Sequence, residues 1–173
     1  MQTLWSDALW PQFGAAIATL EAAVMACPDA LWRQRLWTVP PDQDMPQAFS
    51  EFWYLTYHAL LWLDLYLSGD FEGFAPSAPV SRYEIDSDAT PPERPYTREE
   101  LLAYLDAVRQ RGRALLSPLT EQRAAQPFEF PWEPGHVISY LELQLYNLRH
   151  LQEHAAQLNL LLGQHATPDI TDW

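Results

Sequence analysis

The chain has 173 residues, about half of them apolar and 19% charged, with a net charge of −13. That length predicts one domain, spanning 1–173, with enough apolar content for a core, and it excludes a disordered polymer. The acidic balance excludes sequence-independent nucleic-acid binding and docking on an anionic membrane, both of which need a basic face.

The first helix is expected from about Ser6 or Trp10 to Ala26. Leu9, Phe13, Ile17, Leu20 and Val24 repeat at helical period, alanines favour the helix, and Pro28 marks its end. Pro11 fits best in a first turn, where a missing N–H costs little. The single cysteine, Cys27, excludes an intrachain disulfide and reads as a small buried side chain. With no basic n-region in the first residues and no apolar run of membrane-spanning length, the expectation is a cytoplasmic protein that contacts no membrane.

A turn-rich connection, Thr38 to Pro46, leads to a second helix from about Gln47 to Ser68, stopped by Gly69. Its face carries Phe52, Leu55, His58, Ala59, Trp62 and Leu65. The proline-rich, acidic stretch from Gly69 to Tyr96 offers no regular pattern and reads as a loop. The third helix opens on Thr97-Arg98-Glu99-Glu100, a capping box, and runs to about Leu116. A short helical turn is expected around Thr120 to Ala124, and Pro127 to Gly135 breaks the chain. The fourth long helix runs from about His136 to Leu162. No segment reads as a convincing strand. The fold class is therefore all-α: a four-helix bundle whose long connections allow crossovers.

The segment NLRHLQEHAAQL carries His150 and His154 four residues apart, on one face of the last helix. His58 lies mid-way along the second helix, on its apolar side. Were those helices neighbours, three imidazoles would converge, which is the donor set of a catalytic metal with an open fourth position. The spacing is equally that of histidines buried and hydrogen-bonded in a core. His136 and His165 read as surface residues at the ends of the last helix. By spacing, Tyr146, Asn147 and Gln157 share the face of His150 and His154, while Tyr54 and Trp62 flank His58 and either line a pocket or pack the core. Glu51, two turns before His58, reads as a solvated acid at a helix start. No side chain stands out as a catalytic base, so the catalytic residues stay unassigned.

His150 to His154 also matches H-x-x-E-H, the inverted zinc-protease signature. No glutamate follows within the remaining chain to complete that site, so the match is read as chance. No Walker A, G-x-G-x-x-G or G-x-S-x-G motif is present.

Four helices, a histidine in the middle of the second (YLTYHALLWLDLYL) and H-x-x-x-H-x-x-Q late in the fourth (HLQEHAAQL) resemble the DinB/YfiT-like family. The resemblance implies that His58, His150 and His154 bind a divalent metal, zinc or nickel, at one end of the bundle. It further implies a homodimer and a small-molecule substrate, with a low-molecular-weight thiol among the candidates, since characterised relatives include thiol-dependent transferases and isomerases. The expected function is thus a metal-dependent transferase or hydrolase. The alternative is a non-catalytic helical binding or scaffold protein with a vestigial site. The long loop from Gly69 to Tyr96 departs from the compact family pattern, so no particular substrate carries over.

Overall fold

The computed structural model describes residues 4–40, 47–86 and 90–166. Four long helices make the bundle: α1 (Leu4–Ala26), α2 (Phe52–Ser68), α3 (Arg98–Leu116) and α5 (Tyr140–His165). A single turn, α4 (Glu121–Ala124), and a small antiparallel hairpin, β1 (Pro127–Glu129) and β2 (Val137–Ser139), lie between α3 and α5. The all-α bundle expected from the sequence is the observed class. Most of the turn-rich connection, residues 41–46, falls outside the described residues.

α1 packs against α3 and α5, and α2 packs against the same two. The consecutive helices α1 and α2 therefore stand diagonally across the bundle. The bonds between helices set their directions. Arg98 at the start of α3 reaches the Cys27 carbonyl just past the end of α1, so those two run antiparallel. Tyr57 and Asp64 of α2 meet Tyr96 and Tyr104, in that order, so α2 and α3 run parallel. His58 faces His150 while Leu67 faces Tyr140, so α2 and α5 run antiparallel. Two parallel neighbours require long crossovers, which is what the proline-rich segment supplies.

α2 is the central element. Fourteen of its seventeen residues are buried, including Asp64 and Thr56. A helix apolar on nearly all sides needs cover on nearly all sides. α3 and α5 cover two flanks, and the segment 70–86 lies over another: the Tyr57 hydroxyl donates to the Ser81 carbonyl, and Glu84 reaches His58 and Trp62. Asp64 is fully buried but paired, accepting two bonds from Arg111 and one from the Tyr104 hydroxyl across the α2–α3 seam. Gly69 ends α2 at φ 63°, a left-handed conformation that favours glycine, and a Cβ there would lie 2.9 Å from the Tyr140 ring.

Three local expectations change. α1 begins at Leu4, so Pro11 sits two turns inside it; burial of Leu9 and packing of Trp10 against the core outweigh the missing backbone bond. The second helix does not start at Gln47. A 3-10 turn (Gln47–Ser50) ends at Glu51, which is extended, bridges to Arg35 and caps α2. The start expected for the last helix at His136 is instead the hairpin, where Phe128 pairs with Ile138 and both are buried. The helix begins at Tyr140, with Ser139 as its cap. The capping box at Thr97 and Glu100 and the turn after Thr120 form as expected.

Candidate metal centre

Because α2 and α5 are antiparallel neighbours, the mid-helix residue His58 meets the i, i+4 pair of α5. The His58 Nε2 lies 3.2 Å from the His150 Nε2, which lies 3.0 Å from the His154 Nε2. One ligand atom from each of the three falls within 4.8 Å of the others, a cluster able to hold a metal ion. Four ligands at about 2.0–2.1 Å in a tetrahedron stand about 3.3 Å apart, so the observed spacings match the edge of such a site.

Proton bookkeeping separates a metal site from a hydrogen-bonded core cluster. The His58 Nδ1 is 2.6 Å from Glu84 Oε2. A carboxylate only accepts, so Nδ1 carries a proton, and in the neutral ring Nε2 then presents a lone pair. The His154 Nδ1 is 2.8 Å from Gln157 Oε1, again an acceptor, so its Nε2 also presents a lone pair. Only His150 has a proton to offer, and it can offer it to one neighbour. At least one nitrogen pair at this distance is therefore lone pair against lone pair unless a cation stands between them. The residues fit a divalent ion on this ground alone.

Electrostatics agree. Burial, then the neighbouring imidazoles His154 and His58, push the His150 pKa down to about 3. Burial and His58 push His154 down to about 4, against the opposing bond from Gln157. Both rings are neutral at neutral pH, the form that ligates metals. The His150 Nδ1 is buried with no hydrogen-bond partner, and its ring stacks on Tyr146 at 6.3 Å between centroids, 12° from parallel.

The walls are aromatic. Phe49 meets His58 edge-on at 5.2 Å, and Trp62 lies 6.1 Å from it on the other side. Trp62 is more than packing: its Nε1 donates to Glu84 Oε2 at 2.8 Å. Tyr54 is buried between Phe49 and Tyr57, and burial, followed by the charge of Glu84, raises its pKa far above the ordinary tyrosine range. Beyond Tyr146 and Trp132 a groove of about 450 Å³ opens, lined by Phe130, His136, Ile138 and Arg149.

Tyr54, Trp62, Tyr146 and Gln157 thus stand around the histidines. Asn147 does not. Its amide donates to the Leu63 carbonyl and to Gln144, clamping α5 on α2. Helix spacing put it on the histidine face, but at its level that face is the seam with α2. Glu51 is not solvated; it is 5% exposed and accepts from Trp53 and Arg33. His136 pairs with Glu133 on the surface, and the His165 ring bonds back to Leu161 in the last turn of α5. Cys27 is buried, and burial pushes its thiol up to about 11, so it stays protonated. Glu84 is the residue that sequence reasoning missed. It lies in a segment without periodicity, and no local signal ties it to His58, twenty-six positions away.

The model of the DinB superfamily matches residues 12–158, from within α1 through His154 and Gln157. The chain belongs to the DinB superfamily. Among curated proteins, none matches it. Within this DinB-superfamily chain no described helix is long and apolar enough to cross a membrane.

Proposed function

We propose that the protein is a divalent-metal-dependent enzyme of the DinB superfamily, with His58, His150 and His154 as the three protein ligands, acting on a small molecule at the open side of the ion. The observation that carries the reading is the convergence of three Nε2 atoms, which in neutral rings have at most one proton among them. A core cluster kept for packing pairs its donors with acceptors, as Tyr140, Gln144 and Asn147 do with the α2 carbonyls on the same seam. A divalent ion in such a site, zinc or nickel, polarises an oxygen or acidifies a bound water or thiol.

The chain's own residues do the rest. Two rigid helices hold the imidazoles, and burial keeps His150 and His154 unprotonated and ready to ligate. Phe49, Trp62 and Tyr146 form a water-excluding rim that suits a substrate with an apolar body. A low-molecular-weight thiol is the candidate substrate or co-substrate for a transferase reaction, with hydrolysis as the related alternative. One buried, unreactive cysteine fits a reducing cytoplasm, and a homodimer is the proposed assembly.

The test is elemental mass spectrometry of the untagged protein purified without added metal, beside the His150→Ala/His154→Ala variant. About one equivalent in the parent and little in the variant is expected. No metal in the parent after incubation with zinc or nickel overturns the reading.

A further inference from the structure

The three histidines are not held alike. The His154 Nδ1 bonds a neutral and exposed amide, Gln157. The His150 Nδ1 has no partner. His58 alone faces a charged group, and it comes from outside the bundle: Glu84, delivered by the segment between α2 and α3. The Glu84 side chain is 9% exposed. Its Oε2 accepts from His58 and from the Trp62 indole at once, while its Oε1 is buried with no donor.

We propose that Glu84 is the positioning residue of the metal centre, and that the proline-rich segment is part of the site rather than a connector. This rests on the metal reading above. Three physical effects run through this carboxylate. It fixes the His58 tautomer with the proton on Nδ1, so Nε2 is the ligating atom. It aligns the ring, since Trp62 grips the same oxygen and stops the carboxylate from rotating. And it polarises the ring, because a carboxylate on the far nitrogen pushes electron density to the near one. The buried carboxylate also carries negative charge one ring away from the proposed ion, so Glu84 stabilises the loaded centre more than the empty one.

The experiment is a cobalt(II) titration of the full chain followed in the visible spectrum, with zinc competition for affinity, on the parent, Glu84→Gln and Glu84→Ala. The melting temperature of each metal-free protein is measured in parallel. Glu84→Gln keeps the shape and one acceptor and removes the charge. The expected result is weaker binding by about 10–100-fold in Glu84→Ala and a smaller loss in Glu84→Gln. A shifted cobalt spectrum in both is also expected, with the Glu84→Gln protein melting close to the parent. Binding within twofold of the parent and an unchanged spectrum in both variants would overturn the role of Glu84 and leave the metal site standing, even if the variants melted lower. A parent that takes up no cobalt and no zinc would sink the metal reading itself, and the role of Glu84 with it.

Discussion

Two polar clusters sit on the same seam between α2 and α5, about one turn apart, and they obey opposite rules. In the lower one every donor finds a carbonyl. Tyr140 donates to Leu67, Gln144 to Tyr66 and Asn147 to Leu63, all buried and all aimed at the α2 backbone. In the upper one, His58, His150 and His154 present nitrogens to one another. The lower cluster is what a bundle does with polar groups it must bury. The upper one spends burial on groups that do not satisfy each other. A seam that pairs its donors three times and then sets three imidazole nitrogens against one another is the arrangement the proposed cation would resolve.

The comparison breaks first under acid. His150 and His154 titrate at about 3 and about 4 in the folded chain, against 6.5 for an ordinary histidine. Their folded values are depressed, so the unfolded chain binds protons first and stability falls as pH drops below about 6.5. Between pH 7 and pH 5.5 each ring costs about 1 kcal/mol, roughly 2–3 kcal/mol together. Urea unfolding of metal-free protein at the two values should show this loss, and His150→Ala/His154→Ala should remove it. An equal loss in that variant would mean the histidines are solvated and not desolvated. The lower cluster carries no such dependence and breaks by truncation instead. Gln144→Ala strips the buried Tyr66 carbonyl of its donor and should cost about 2 kcal/mol, read as a lower urea midpoint with metal binding kept. A loss of metal affinity of equal size would mean the two clusters are not separable.

What was readable in the sequence follows the same division. The i, i+4 pair His150 and His154, the capping box at Thr97 and the apolar stripe of α1 are local features, fixed by helix geometry within a few residues. His58 was placed by the burial pattern of α2, and its meeting with α5 needed only that two helices be neighbours. Glu84 and the indole bond of Trp62 are long-range contacts made by a segment with no period, and no spacing announces them. Glu51 misled because an acid before a helix is usually solvated, and here the 3-10 turn folds it under Trp53. The hairpin strands have three residues each, too few for alternation to register. The signal that existed was α2 itself: a helix with no polar face must be covered on all sides, and the proline-rich segment that follows it supplies part of that cover.

The sharpest form of the comparison is its smallest number. His154→Ala removes a partly buried ring whose nitrogens meet only an exposed glutamine and the His150 Nε2. Leu151, Ala155 and Leu158, which anchor the same turns of α5, are untouched. In metal-free protein the variant should therefore unfold within about 0.5 kcal/mol of the parent, since the bond to Gln157 that is lost is exposed and the crowding of imidazole nitrogens is relieved. With saturating zinc the two should separate widely, because an ion that binds only the folded parent stabilises it by about 4 kcal/mol at 1,000 times its Kd. A residue kept for packing gives the reverse pattern: a penalty of 2 kcal/mol or so without metal, and no added gap with it. Four denaturation curves, two proteins with and without zinc, decide between a centre built for a cation and a core that happens to contain histidine.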